Sequence, residues 1–238
     1  MLFFYLATDK GSVRPVNEDS AAAFEPHVYA VADGMGGQAA GEVASQLLVK
    51  VVRQELEGKA SIDELQLQQA MLAANAEILH TARSFNGYQG MGTTATLLHV
   101  DDRAARASWA HVGDSRLYLC RKGVLSQITR DHSYVESLVA KGELTEAEAR
   151  VHPQKNMLLR AVGVEEHLRV DTGSFPLQTG DILLLATDGL MKMVSDADIS
   201  AVLTANEGDT ARILVDRALE AGGRDNVTVI VVEAGDEN

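Results

Sequence analysis

The stretch Val28-Tyr29-Ala30-Val31-Ala32-Asp33-Gly34 runs from five apolar residues into an aspartate and a glycine. A run of this kind predicts a buried strand, and Asp-Gly is typical of the turn that ends one. The same order recurs where Trp109–Val112 meets Gly113-Asp114 and where Ile182–Thr187 meets Asp188-Gly189. Three predicted strands therefore place a carboxylate at their exits.

These carboxylates have two interpretations. Turn chemistry explains any one of them, because aspartate bonds to its own backbone and glycine tolerates positive φ. Further acidic sites after the predicted first strand and before the last make a shared function the better interpretation, since Mg²⁺ and Mn²⁺ prefer oxygen ligands. Four converging aspartates would balance two divalent ions, and a fifth could recruit a third. The predicted ligands are Asp19, Asp33, Asp188 and Asp225, with Asp114 for the third ion.

Arg14 lies five residues before Asp19. A guanidinium can hold a phosphate by paired hydrogen bonds, whereas the alternative is an ordinary surface arginine. Two divalent ions can neutralise a phosphate ester, generate hydroxide near neutral pH and stabilise the leaving oxygen. The residues alone therefore predict a metal-dependent hydrolase of a phosphorylated substrate.

The N-terminal third predicts two strands and two helices. The strands cover Met1–Ala7 and Val28–Ala32, and the first helix turns Val43, Leu47, Val51 and Leu56 inward. The second helix is predicted to begin at a Ser61–Glu64 capping box and to end near Ser84.

The rest of the chain alternates blocks of strands with blocks of helices. Strands over 93–100, 104–112, 116–121 and 124–128 have short links, which predict an antiparallel meander. A polar helical segment follows over 133–150, with a break at Gly142 and a cap at Thr145–Glu148, and is a candidate for a mobile flap. Strands over 168–175, 181–186 and 227–233 and helices over 196–203 and 210–221 complete the chain. Such blocks favour an α+β layered sandwich.

The composition bounds the class of protein. The 238 residues, 46% hydrophobic and 23% charged, suit a single domain over 1–238. A net charge of −13 disfavours nucleic acid as a partner. No apolar run approaches the roughly 18 residues of a membrane span, and Met1–Ala7 lacks the flanks of a secretory signal. The single cysteine, Cys120, is expected in the core, which favours a reducing, cytoplasmic address.

Six short motifs, in order along nearly the whole chain, resemble those of the type 2C, or PPM, family of metal-dependent serine/threonine protein phosphatases, in its bacterial branch. They are Arg14-Pro15-Val16-Asn17-Glu18-Asp19, Val31-Ala32-Asp33-Gly34-Met35-Gly36-Gly37, Gly92-Thr93-Thr94, Gly113-Asp114-Ser115-Arg116, Thr187-Asp188-Gly189-Leu190 and Arg224-Asp225-Asn226-Val227-Thr228. The resemblance implies a four-layer α-β-β-α sandwich with two central antiparallel sheets and metal ions at one end. It also implies that the region over 133–156 is the family's variable flap, although a solvated helical face explains its charges equally well.

The resemblance also implies a role for each site residue. Asp33 would bridge two core Mg²⁺ or Mn²⁺ ions, Asp188 and Asp225 would complete the first, and Asp19 with the Gly34 carbonyl the second. Glu18 would orient these ligands, Arg14 would hold the phosphate, and Asp114 would bind a weaker third ion. A metal-bridging hydroxide would attack phosphorus in line, with no phosphoenzyme.

Met35 stands where many eukaryotic members of the family have a histidine that is a candidate general acid. Methionine cannot donate a proton, so the proton source is open. A metal-bound water is the simplest candidate, and His132 is a weaker one whose alternative is a polar loop residue.

The resemblance implies phosphorylated proteins as substrates, a bacterial Ser/Thr kinase as the enzyme opposed, and a monomer. Two rival hypotheses remain at this point. The chain could be a catalytically dead module that binds phosphoproteins, although none of the aspartates is lost, or it could hydrolyse small phosphate esters.

Overall fold

Two antiparallel sheets form the centre of the molecule. The structure, a computed structural model, describes residues 2–36, 40–205 and 207–235, so Met1 of the predicted first strand and Gly37 of the second motif lie outside it. The first sheet has the order β1 (Leu2–Asp9), β11 (Val227–Ala234), β10 (Ile182–Ala186), β7 (Arg116–Arg121) and β8 (Val124–Gln127). The second has the order β2 (Asp19–Phe24), β3 (Val28–Met35), β5 (Ala95–Asp101), β6 (Arg106–Val112) and β9 (Asp171–Pro176), and β4 (Gly92–Thr93) pairs with β3.

Helices cover the outer face of each sheet. The pair α1 (Ala40–Leu56) and α2 (Glu64–Ser84) packs on the second sheet, and α5 (Asp188–Met191), α6 (Asp196–Ala205) and α7 (Thr210–Glu220) pack on the first. Between β8 and β9 lie α3 (Tyr134–Ala140) and α4 (Glu146–Val151). The predicted α+β class with two central antiparallel sheets is confirmed.

Strand β11 shows why the first sheet forms at the centre. Val229 and Val231 face the helices, whereas Ile230 and Val232 face the other sheet. Side chains alternate between the faces of a strand, so a strand buried on both faces reads as a continuous apolar run. The run over 229–232 has this form and is buried throughout.

The buried face of α1 lies one residue further along the chain than predicted, except at Leu56, which is buried as predicted. The fully buried row is Ala44, Leu48, Val52 and Leu56, whereas Val43, Leu47 and Val51 are half-buried at the edge of the same core. The first turns of the helix bury Ala40, Gly41, Ala44 and Ser45, and these small residues let it lie close to the sheet, which turns this row inward.

The predicted capping box of α2 was wrong by two residues. Asp63, not Ser61, caps the helix, and its Oδ1 accepts from the N–H groups of Leu65 and Gln66 at 2.8 and 3.1 Å. Gln66 Oε1 accepts in return from the Asp63 N–H at 3.0 Å. The predicted end of α2 at Ser84 and the cap at Thr145–Glu148 are confirmed.

The predicted single meander was also wrong. Strands β5 and β6 pair in the second sheet, but β7 and β8 pair in the first. The chain changes sheets at Gly113-Asp114-Ser115, where Gly113 has a φ of +111° that favours glycine. Asp114 therefore lies on the crossing between the sheets.

Among the described residues, no helix is long and apolar enough to cross a membrane.

Candidate metal centre

The predicted aspartates lie within strands of the second sheet or directly beside strands of the first. Asp19 begins β2 and lies opposite Asp33, which is inside β3 rather than after it. Asp188 is the first residue of α5, and Asp225 precedes β11, so neither is in a simple turn. The Thr187 N–H donates to the Thr228 carbonyl at 3.0 Å, which brings the end of β10 to the start of β11. These four carboxylates and Asp114 meet at one end of the sandwich.

Asp19 connects the two sheets through hydroxyl groups. Thr187 Oγ1 and Thr228 Oγ1 donate to its Oδ2 at 2.8 and 2.7 Å. Its Oδ1 is buried and has no hydrogen-bond partner among the described residues. Asp188 Oδ1 is likewise buried without such a partner. A buried carboxylate oxygen without a partner is costly, so both oxygens suit a bound cation.

Threonines of the Gly92-Thr93-Thr94 motif hold the backbone of Asp33. The Asp33 N–H donates to Thr94 Oγ1 at 2.9 Å, and Thr93 Oγ1 donates to the Asp33 carbonyl at 2.9 Å. Thr94 Oγ1 also lies 2.7 Å from Ser115 Oγ, next to Asp114. The motif therefore links the strand that carries Asp33 to the crossing that carries Asp114.

The electrostatics show how close the carboxylates lie. Burial raises the pKa of Asp33 well above its usual range, and the charges of Asp19, Asp188 and Asp114 add to the effect. Burial and neighbouring carboxylates raise the pKa of Asp19 to about 7 and that of Asp114 to about 8. Burial also raises the pKa of Asp188. Divalent cations would relieve this repulsion.

Asp225 differs from the others. Burial acts to raise its pKa, but the hydrogen bond and charge of Lys192 and the charge of Arg14 outweigh it, so the pKa is lowered. Arg14 Nε lies 2.8 Å from Asp225 Oδ1, and the Arg14 side chain is 48% exposed. The predicted phosphate-binding arginine therefore lies at the rim of the carboxylate cluster, open to solvent.

Asn226 holds the loop that carries Arg14. Its Nδ2 donates to the carbonyls of Lys10 and Val16 at 2.8 and 2.9 Å, and its Oδ1 accepts from the Glu18 N–H at 2.8 Å. Asn226 lies within one of the six motifs, but no role for it was predicted from the sequence. Thr187 and Thr228 were missed in the same way, because a hydroxyl beside a predicted ligand has no periodicity that could identify its partner.

Gly34 is required by close packing. A Cβ at this position would lie 2.1 Å from the Gly41 carbonyl oxygen and 2.5 Å from the Glu18 carbonyl oxygen. Its N–H donates to the same Glu18 carbonyl at 3.1 Å. The Glu18 carboxylate lies behind this contact, since a Cβ on Gly41 would come within 2.7 Å of its Oε1. Glu18 therefore supports the backbone around Gly34.

His132 is buried and contacts Gly113, the residue before Asp114. Its Nδ1 accepts from the Gly113 N–H at 3.1 Å, so the neutral ring carries its proton on Nε2, which donates to Asp171 Oδ2 at 3.1 Å. Burial lowers the pKa of His132, which favours this neutral form. Arg160 donates to Asp171 Oδ1 at 2.9 Å. Both ring nitrogens are engaged, so this histidine is not placed to act as a general acid.

Lys192 was not predicted, yet it contacts two of the predicted ligands, Asp188 and Asp225. Among the residues that the structure describes, no three acidic, histidine or cysteine side chains form a group ready to hold a metal ion. The oxygen donors, their negative charge and the two carboxylate oxygens without partners fit divalent cations. In this structure the ammonium group of Lys192 lies between the carboxylates of Asp188 and Asp225.

Comparison with known proteins identifies the family. The family model described as protein phosphatase 2C matches residues 15–211. This chain belongs to the protein phosphatase 2C family. A serine/threonine phosphatase stp of Listeria innocua is 40% identical over 237 residues, which cover 95% of this chain and 93% of that protein.

Solved structures of protein phosphatase 2C relatives share the fold. The crystal structure of the Mycobacterium tuberculosis serine/threonine phosphatase PstP/Ppp has a TM-score of 0.92, with 38% identity over 99% of both chains. A structure of the PstP catalytic domain in complex with two manganese ions has a TM-score of 0.90, with 37% identity over 99% of both chains.

Proposed function

We propose that this protein phosphatase 2C chain hydrolyses phosphoserine and phosphothreonine in proteins and depends on Mg²⁺ or Mn²⁺. The observation that carries the proposal is the meeting of five aspartates from both sheets, two of which present buried oxygens without partners. Relatives named serine/threonine phosphatase, one of them solved with two manganese ions, support the same activity.

The proposed division of work is the one that the family resemblance implies. Asp33 would bridge two ions, with Asp188 and Asp225 on one side and Asp19 and the Gly34 carbonyl on the other. Glu18 packs behind Gly34 and orients it, and Asp114 on the sheet crossing is the proposed ligand of a weaker third ion. When bound, the ions would neutralise the phosphate dianion and activate the attacking water.

Arg14 is the proposed phosphate-binding residue. Its guanidinium is half-exposed at the rim, and Asn226 fixes the loop on which it stands. An arginine held in this way can present paired donors to phosphate oxygens without reordering its loop. The proton for the leaving alkoxide does not come from Met35, which has none to give, or from His132, whose nitrogens are engaged. Solvent at the open rim remains the proposed source.

The substrate would lie along the surface next to Met35. A cleft of about 380 Å³ opens there, lined by Met35, Leu159, Arg160, Val164, His167 and Arg169 among others.

The segment 133–156, which holds α3 and α4, is the proposed flap. A bacterial Ser/Thr kinase is the proposed enzyme that the phosphatase opposes. A monomer and a cytoplasmic address remain proposals, the latter supported by the single, buried Cys120.

Phosphate release tests the proposal. Wild-type protein and Asp33→Asn are assayed with a chromogenic phosphate ester, with added Mn²⁺ and with chelator. We expect hydrolysis that requires Mn²⁺ and is lost in the variant. Metal-independent hydrolysis, or none on any ester, would overturn the proposal.

Substrate class is tested by comparing a phosphothreonine peptide with small phosphorylated metabolites. A rate on the peptide that clearly exceeds the rate on metabolites supports a protein phosphatase. Equal rates favour the hydrolase of small esters. Binding of the phosphopeptide without any turnover would instead favour the inactive binding module.

A further inference from the structure

We propose that Lys192 is a built-in cation of the metal centre, which a divalent ion must displace before it can use both Asp188 and Asp225. The inference rests on the proposed function, because it requires these two carboxylates to bind metal. Lys192 follows the Thr187-Asp188-Gly189-Leu190 motif but is not part of it.

The ammonium group bridges the two carboxylates. Lys192 Nζ lies 2.5 Å from Asp188 Oδ2 and 2.8 Å from Asp225 Oδ2. The side chains of Lys192, Asp188 and Asp225 are only 28%, 15% and 16% exposed. Exposed ion pairs contribute little to stability, but this one is largely withdrawn from water and involves two acceptors.

The helix α5 determines this position. Lys192 caps its C-terminus with helical dihedrals, φ −70° and ψ −25°, and the Lys192 N–H donates to the Asp188 carbonyl at 2.9 Å. Helical side chains tilt toward the N-terminus, so residue i+4 lies over residue i. The chain therefore directs the lysine back onto Asp188 by local geometry.

The charge of Lys192 reaches beyond its two direct partners. It acts to lower the pKa of Asp33 and of Asp114, against the stronger effect of burial on each. Arg14 takes the other oxygen of Asp225, so both oxygens of that carboxylate are engaged by cationic side chains. Lys192 is thus a central positive charge in a cluster that would otherwise repel itself.

A divalent ion and this ammonium compete at Asp225. Asp188 Oδ1 has no partner among the described residues, but Arg14 takes Oδ1 of Asp225 and Lys192 takes its Oδ2. Metal that binds Asp225 through Oδ2 must break the contact of Lys192 or push its ammonium group toward solvent. Removal of the ammonium should therefore tighten metal binding and, at the same time, weaken the metal-free fold. A lysine with a purely structural role would not produce these opposite effects.

Calorimetric titration of metal-free protein with Mn²⁺ at pH 7.5 tests this competition. We expect Lys192→Met to bind Mn²⁺ about tenfold more tightly than wild type, and its metal-free melting temperature to fall. Lys50→Met, which changes an exposed lysine of α1, is the matched control and should behave as wild type. Equal or weaker Mn²⁺ affinity in Lys192→Met would overturn the inference.

Labelling of the wild-type chain gives the same answer without a variant. An amine-reactive reagent followed by mass spectrometry compares Lys192 with Lys50, with and without saturating Mn²⁺. Displacement predicts that labelling of Lys192 rises on metal binding while labelling of Lys50 is constant. Unchanged or reduced labelling of Lys192 would overturn the inference. If the wild-type protein binds no Mn²⁺ at all, the proposed function itself fails, which is a distinguishable outcome.

Discussion

Asp19 lies directly opposite Asp33 across the ladder of β2 and β3, so two carboxylates of the candidate centre start from facing positions on adjacent strands. Facing residues of an antiparallel pair point to the same side of the sheet, and like charges there destabilise it. The charges of Asp114 and Asp188 at the same end of the sandwich increase this repulsion further. Such an arrangement indicates a site built to receive cations.

Asp33→Asn should have opposite effects on activity and on metal-free stability. Loss of the bridging carboxylate should lower kcat/KM by at least about a hundredfold. Loss of its charge should raise the melting temperature of the chelator-treated protein, because burial and neighbouring carboxylates oppose ionisation there. Asp102→Asn, in the exposed link between β5 and β6, is the control. A variant that loses activity together with metal-free stability would contradict this account.

The metal-free protein should lose stability as the pH rises. The pKa values of Asp19 and Asp114 are about 7 and 8 in the folded chain, against an ordinary value of 3.8. Burial lowers the pKa of His99, His111 and His132 from 6.5, so these groups act in the opposite sense below about pH 6.5. Between about pH 6.5 and pH 8 the folded state therefore holds more protons than the unfolded chain, and the free energy of unfolding falls with pH. Thermal melting with chelator should show this slope, and Mn²⁺ should flatten it. A flat or rising profile with chelator would refute the prediction.

Arg14→Lys should separate phosphate binding from metal binding. The ammonium keeps a positive charge beside Asp225 but cannot offer the paired donors of a guanidinium. We expect KM for a phosphopeptide to rise about tenfold, with little change in the Mn²⁺ concentration for half-maximal activity. Steady-state kinetics over a range of Mn²⁺ concentrations measure both. A changed Mn²⁺ requirement with an unchanged KM would show that Arg14 serves the metal site instead.

His132 should position Asp114 through Gly113. Asn can replace Nδ1 as acceptor for the Gly113 N–H, whereas Gln can replace Nε2 as donor to Asp171. His132→Gln should therefore raise the Mn²⁺ concentration for half-maximal activity by about tenfold, and His132→Asn should change it less. The reverse order would show that the contact with Asp171 is the important one, and equal effects in two folded variants would contradict the prediction.

The sequence was informative where a residue type carries its own chemistry. Aspartates beside glycines at the ends of apolar runs pointed to Asp33, Asp114 and Asp188, and the alternation of blocks pointed to an α+β sandwich. Strand β2 was missed because Ala21, Ala22 and Ala23 lack the β-branched side chains that mark strands. The pairing of Asp19 with Asp33 depends on that missed strand.

Tertiary partners could not be predicted from the sequence. The change of sheet at Gly113 depends on which strands find one another, whereas the short links on either side looked alike. The sequence predicted a capping box from Ser61 and Glu64, whereas the folded chain forms it from Asp63 and Gln66. Lys192 reads as an ordinary charged residue near the end of a short helix, and only the fold brings Asp225 to its ammonium group.

Anomalous scattering from crystals soaked in Mn²⁺ tests most directly whether these aspartates hold the ions of a phosphatase. We expect two strong manganese peaks on either side of the Asp33 carboxylate, one beside Asp188 and Asp225 and one beside Asp19 and the Gly34 carbonyl. Manganese elsewhere, or no peak within ligand distance of Asp33 in crystals of protein active with Mn²⁺, would contradict it.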